Sequence, residues 1–185
     1  MQTDNNTLID EMLALTESST AAARRFKTLP EDQLNFKENP ERWSVLECLE
    51  HLNRYGDFYL PAIENALRSD KGHHGKLTYK SGSIGNWFAN LMKVKNGKIV
   101  KMKTPSDKNP SGSKLTSATI DRFIEQQEKL KQLLNQARNA NLTKTKVPIS
   151  LAKFIKLRLG DTFRFFINHI ERHIIQAENN LKFKI

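Results

Sequence analysis

Phe165-Phe166-Ile167-Asn168-His169-Ile170-Glu171-Arg172-His173-Ile174-Ile175-Gln176 is the stretch from which the chain is best read. Its apolar residues recur at helical spacing, and two histidines stand four apart among them. Four residues is slightly more than one turn, so both imidazoles lie on one side of a helix, with Cβ atoms about 6 Å apart. That is how a helix offers two nitrogen ligands to one metal ion. A first-row metal takes at least a third protein ligand, and His51, in another helix-patterned stretch far upstream, is the candidate. The other two of the five histidines, His73 and His74, stand in a basic, loop-like segment. The expectation is a site of His51, His169 and His173 built between two helices.

Working outward, the helix that carries the pair is predicted to start at Asp161, as N-cap after a break at Gly160, and to run to about Leu181. Phe163, Phe166, Ile167, Ile170, Ile174, Ala177 and Leu181 form its apolar face, and His169, His173 and Gln176 lie along the edge of that face. The helix of His51 begins at Ser44, whose side chain with Glu47 three residues later has the form of a capping box, and continues to about Arg68. Its aliphatic stripe is flanked by a second row: Glu47, His51, Tyr55, Phe58 and Ala62. Pro61 falls inside it and predicts a kink or an offset of one helical turn. Two more helices are predicted, from about Asp4 to Phe26 and from Thr116 or Ser117 to Ala137. A long connection from Ser69 to Ser113 contains one short amphipathic stretch, Ile84 to Val94, and a further short helix is predicted over Ser150 to Leu157. No strand-like alternation of useful length is found. The fold expected is all-α: one domain, residues 1–185, a four-helix bundle with a long crossover between helices two and three.

Composition narrows the class. With 38% hydrophobic residues, 8 glycines and 6 prolines, the chain is neither disordered nor collagen-like. The single cysteine, Cys48, cannot form an internal disulfide and fits a small core position in a protein of the reducing cytoplasm. The polar opening residues lack the basic-then-apolar layout of a signal peptide, and no apolar run approaches the 18 residues or so of a membrane span. The net charge is +10, and between Lys71 and Lys114 ten lysines face one acid, Asp107. Lysines in Gly/Ser/Asn-rich company, without interleaved arginines and aromatics, read as a solvated loop rather than a specific nucleic-acid surface.

Three neutral imidazoles leave a divalent ion its full charge and an open coordination position, the pattern of catalytic rather than structural zinc. Such an ion lowers the pKa of bound water to about 7. Glu47, one turn before His51, either orients that imidazole or accepts a proton from the water, or is occupied in the Ser44 cap. Gln176, one turn past His173, either hydrogen-bonds a water or substrate, or is a solvated edge residue. Tyr55, Phe58, Phe165 and Phe166 are expected to wall the pocket if they are not plain core. Gly-rich phosphate loops, a G-x-S-x-G elbow and paired-carboxylate motifs are absent from the sequence.

Trp43-Ser44 opening a helix, the acid Glu47, then His51-Leu52, a long crossover, and His169-x-x-x-His173-x-x-Gln176 on the last helix resemble the DinB-like superfamily, which includes YfiT-like metal-dependent hydrolases. The resemblance spans helix one to helix four. It implies an up-down-down-up bundle, a nickel- or zinc-type site at His51, His169 and His173, and frequent homodimers. It also implies hydrolysis of a small-molecule substrate, or thiol-dependent transfer as in some relatives. A bundle that binds metal or ligand without turnover is the third reading. The basic crossover with Trp87 is longer than in the simplest members, so pocket shape and substrate do not carry over.

Overall fold

The computed structural model describes residues 1–70, 78–94 and 102–182. Over these the chain is mostly helical with two small sheets. Its elements are β1 (Gln2–Asp4), α1 (Asn5–Phe26), α2 (Glu31–Leu34), α3 (Val45–Arg68), β2 (Thr78–Lys80), α4 (Ser83–Met92), α5 (Ala118–Gln136), β3 (Lys146–Ile149), β4 (Ala152–Arg158) and α6 (Leu159–Leu181). The four expected long helices are α1, α3, α5 and α6. Each packs on two others: α3 on α5 and α6, and α1 on α5 and α6. The crossover helix α4 lies against α6. His73, His74 and Lys71, Lys76, Lys95, Lys98 and Lys101 of the crossover lie outside the described residues.

Local chemistry sets the helix ends. The Asp4 carboxylate accepts from the backbone N–H of Asn6 at 2.8 Å, and Arg24 and Arg25 fill the last turn of α1, where cations meet the negative end of the helix dipole. Ser44 and Glu47 form the expected capping box on α3: Glu47 N–H donates to Ser44 Oγ at 3.1 Å, and Ser44 N–H donates to Glu47 Oε2 at 3.0 Å. α3 runs unbroken through Pro61, which lies on its exposed side. The buried faces of these helices meet in one core containing Leu8, Leu49, Ile63, Phe123, Leu133, Phe163 and Phe166. Cys48 is fully buried in that core, and burial pushes its thiol well up, with the charge of Glu47 adding to the effect.

Three expectations change. Residues 150–157 are not a helix: β3 and β4 form an antiparallel hairpin, with Val147 opposite Leu157 and Pro148 opposite Lys156. Val147, Ile149 and Leu157 turn inward between solvent-facing lysines, a period of two that is too short to register against the helical pattern elsewhere, and Pro148 is tolerated because the strand has a free edge. A second sheet pairs β1 with β2 of the crossover. The last helix starts at Leu159 rather than after Gly160, and Asp161 is not its N-cap.

Asp161 instead lies buried inside the first turn of α6 and accepts from the Tyr79 hydroxyl, the Ser81 hydroxyl and, at 2.9 Å, the Gly82 N–H. Arg164 Nη1 stands 3.7 Å from its carboxylate and donates to Ser81 and Asn86. This buried knot ties the crossover to α6. The close approach needs glycine on both sides: a Cβ at Gly160 would come within 2.4 Å of the Tyr79 ring, and one at Gly85 within 2.4 Å of the Asp161 carboxyl.

Candidate metal centre

His51 comes from the second turn of α3, and His169 and His173 from consecutive turns of α6 where the two helices pack. All three are buried. Their ligand nitrogens lie within 4.8 Å of one another. His169 Nε2 is 3.2 Å from His51 Nε2 and 3.0 Å from His173 Nε2. With metal–nitrogen bonds of about 2.0–2.1 Å, two ligand nitrogens would be about 3.3–3.4 Å apart at tetrahedral angles and about 2.8–3.0 Å apart at octahedral ones. The observed separations fall across that range.

The hydrogen bonds on the far side of the rings fix what points inward. His51 Nδ1 faces the Lys108 carbonyl at 2.7 Å, an acceptor only, so Nδ1 carries the proton and Nε2 a lone pair. His173 Nδ1 faces Gln176 Oε1 at 3.0 Å, with the same consequence. His169 Nε2 therefore meets two lone pairs, of which its own proton could satisfy one. A cation at the centre satisfies all three nitrogens. Outer partners that set the tautomer of two ligands are what a metal site requires, and the donor set fits a divalent ion. His169 Nδ1 is buried and has no hydrogen-bond partner among the described residues.

Burial, opposed by the bond to the Lys108 carbonyl and reinforced by Arg54, Lys108 and Arg172, pushes His51 down to about 4. His169 and His173 are held well below the usual imidazole value, first by burial and then by neighbouring histidines and Arg172. All three rings are thus neutral and ligand-ready at pH 7. The metal-free protein should also be acid-sensitive. Groups that are harder to protonate folded than unfolded make unfolding take up protons, so stability is intact above the unfolded value near 6.5 and drains away as pH falls toward about 4. The His51 shift alone corresponds to a loss on the order of 3 kcal/mol. Denaturant titrations of metal-free protein between pH 7 and 4 check this, and a flat profile would refute the assignment of buried neutral rings.

Aromatic rings enclose the cluster. Trp43 lies 4.7 Å from the His51 ring centroid and 5.7 Å from that of His173, and its indole N–H donates to Ser111. Tyr55 packs edge-on against His51 and His169, and Phe165 stacks on His169. The Tyr55 hydroxyl is pushed up to about 12 by burial. Beside the histidines opens a pocket of about 130 Å³, lined by Tyr55, Tyr59 and Phe165, by Phe88 and Met92 of α4, and by Leu151 of the hairpin. A wider polar groove of about 860 Å³ meets it at Met102–Thr104, Arg172 and His173, and includes Trp43 and Gln176.

The sequence-predicted residues separate on this geometry. His51, His169, His173, Tyr55 and Phe165 come together. Gln176 holds His173. Phe58 packs edge-on against Tyr59 and borders a separate surface depression with Pro61, and Phe166 turns into the core. Glu47 lines neither cavity, and besides the Ser44 cap its carboxylate takes Lys37 Nζ at 3.0 Å. Lys108 went unforeseen because it acts through its backbone carbonyl, which no side-chain pattern reveals. It sits in a 3₁₀ turn, Ser106–Lys108, clamped to α3 by Arg54, which donates to the Asn109 carbonyl at 2.7 Å. Trp43 carried a signal, as the bulky residue just before the cap of α3.

No curated protein and no solved structure gives a significant match to the chain. The profile of the DinB superfamily matches residues 14–177, a span that takes in the three histidines, the crossover and most of all four long helices. The chain belongs to the DinB superfamily.

Proposed function

We propose that the chain is a single-domain, metal-dependent hydrolase of small molecules, with the four long helices in the up-down-down-up order of its family and zinc or nickel held by His51, His169 and His173. A cytoplasmic homodimer is the expected setting. The observation that carries the reading is the convergence of three buried, neutral Nε2 atoms beside an open pocket. When bound, such an ion supplies Lewis acidity and brings the ionisation of a coordinated water near pH 7. The protein's own part is to orient: Lys108 and Gln176 aim two imidazoles, Trp43 and Phe165 keep the rings from turning, and Tyr59, Phe88 and Leu151 exclude bulk water from an apolar substrate portion. Lys103 and Arg172 at the junction with the groove favour a substrate carrying negative charge.

Thiol-dependent transfer is the second reading, favoured by one observation: among the described residues, none of the side chains lining the apolar pocket is a carboxylate. A thiolate needs no such base, and Lys103 and Arg172 would suit an anionic thiol. A metal- or ligand-binding bundle without turnover is the third. Screening metal-loaded protein against ester, amide and thiol-adduct libraries tests all three. Turnover that depends on added metal and disappears in His169→Ala supports an enzyme, and the responding library names the class. Turnover persisting in the His51→Ala, His169→Ala, His173→Ala variant would overturn it.

A base role for Glu47 requires its carboxylate to leave the Ser44 amide and Lys37. Glu47→Gln keeps the size and part of the cap. A rate loss of about 10²-fold with metal content and melting temperature unchanged would establish proton transfer. A stability loss of about 1 kcal/mol with an unchanged rate assigns Glu47 to the cap.

A further inference from the structure

Charge and exposed apolar surface coincide on this molecule. Seven large apolar side chains are exposed among the described residues, and six of them, Ile84, Trp87, Met102, Leu151, Phe154 and Ile155, belong to the crossover or the hairpin. Met102 and Leu151 line the pocket beside the histidines. Trp87 lies 4.9 Å from the ring centroid of Phe88, which lines that pocket too, and Ile84 is one helical turn before Phe88. On the hairpin the register slips: Pro148 faces Lys156, but Ile149 faces Ala152, so residues 153–155 have no counterpart on β3. The slip thrusts Phe154 out, 87% exposed, with Leu151 at 63% and Trp87 at 59%. Large aromatic and aliphatic groups pay a hydration cost for such exposure, and their concentration on α4 and the hairpin, which touch one another beside the pocket that Met102 and Leu151 line, marks an interaction surface.

The surroundings are strongly basic. Among the described residues the crossover carries Lys80, Lys93, Lys103, Lys108 and Lys114 against one acid, Asp107, and residues 140–160, which contain the hairpin, hold Lys144, Lys146, Lys153, Lys156 and Arg158 with no acid. Together these described residues carry +9. Lys80, Lys93, Lys103 and Lys156 are exposed on the crossover and the hairpin that carry these apolar side chains. A second copy presenting the same face would meet like charge, so the occupant is anionic. Nucleic acid takes flat rings and arginines, and has little use for protruding Ile84 and Leu151. Tryptophan, phenylalanine and aliphatic tips ringed by lysines match the boundary between acyl chains and anionic headgroups. We propose that the hairpin tip and α4 seat the protein on the surface of an anionic lipid bilayer, with the mouth of the metal-site pocket facing that surface. No helix among the described residues is long and apolar enough to cross a membrane, so the contact is peripheral.

Cosedimentation of the full chain with vesicles tests this, using phosphatidylcholine alone and phosphatidylcholine with about one third phosphatidylglycerol, an anionic content at which basic residues near the surface bind measurably. Binding to the anionic vesicles, a blue shift of tryptophan emission on binding, and weakening with salt are the expected results. Phe154→Ser with Ile155→Ser, and separately Lys93→Glu with Lys156→Glu, should each weaken binding about tenfold or more. Their melting temperatures and metal content should stay unchanged, because these exposed side chains touch none of the histidines. Absence of vesicle binding at low salt overturns the proposal, as does binding that neither variant weakens. Tighter capture by DNA than by vesicles, or dimerisation through this face shown by ultracentrifugation of the same variants, would overturn it equally.

Discussion

Zinc or nickel added to the purified protein is expected to bind at about one ion per chain, and His51→Ala, His169→Ala or His173→Ala should each abolish tight binding. His169→Ala should be the most damaging, since its Nε2 is the atom that lies 3.2 Å and 3.0 Å from the other two. Outer partners typically contribute about 10–100-fold in affinity, so Gln176→Ala should fall in that range and loss of a ligand should exceed it. Because the rings are neutral at pH 7, binding there releases few protons, and affinity should decline only as acid begins to protonate the histidines. Calorimetry and elemental analysis read the affinity and the count. Thermal melts give a second readout: ligand at about 1,000 times its dissociation constant stabilises the native state by about 4 kcal/mol. That rise should vanish in the alanine variants. Changing His73 and His74 to alanine should leave binding untouched. Full metal retention by the triple variant of His51, His169 and His173 would remove the site.

Asp161→Ala is expected to cost about 3–5 kcal/mol of folding stability, the scale for breaking a buried charged network by deleting one partner. The carboxylate is 1% exposed and is the shared acceptor for Tyr79, Ser81 and the Gly82 amide. Without it, the Tyr79 hydroxyl, which burial first and then its bond to Asp161 hold up near 12, is left as a buried donor with no carboxylate, and Arg164 loses its nearby counter-charge. Asp161→Asn retains an acceptor and should cost less. Denaturant unfolding measures both, and a loss under about 1 kcal/mol in Asp161→Ala would show that the crossover is held by packing alone. The three histidines lie on α3 and α6, so the folded fraction of the variant should still bind metal.

Much of the bundle was written locally. The 3.6-residue period of α1, α3, α5 and α6 follows from apolar residues that each helix must bury, and the Ser44–Glu47 capping box is complete within four residues. The pairing of His169 with His173 was equally local, because i, i+4 spacing fixes a shared face whatever the partner helix does. His51 was their candidate third partner as the one other histidine in a helix-patterned stretch, although 118 residues separate it from His169.

Other features depended on contacts between residues far apart. The hairpin read as a helix because a strand's period of two over four to seven residues is hard to tell from a short helical turn, and its pairing, not its own pattern, makes it a strand. Asp161 has the composition of a cap but serves Tyr79 and Ser81, about 80 residues upstream, a choice made by the approach of the crossover. Phe58 shares the helical row of Tyr55 and Phe166 directly follows Phe165, yet neither lines the pocket beside the histidines, because helix rotation against a neighbour decides which edge faces inward. The Lys108 carbonyl belongs to every residue alike and became a partner of His51 only by position. The sequence by itself thus determined the four long helices, the capping box of α3 and the histidine pair, which are set by neighbours one turn away. Tertiary structure decided the tautomers, the walls of the pocket and the basic apolar rim around it, because those depend on which surfaces are brought together.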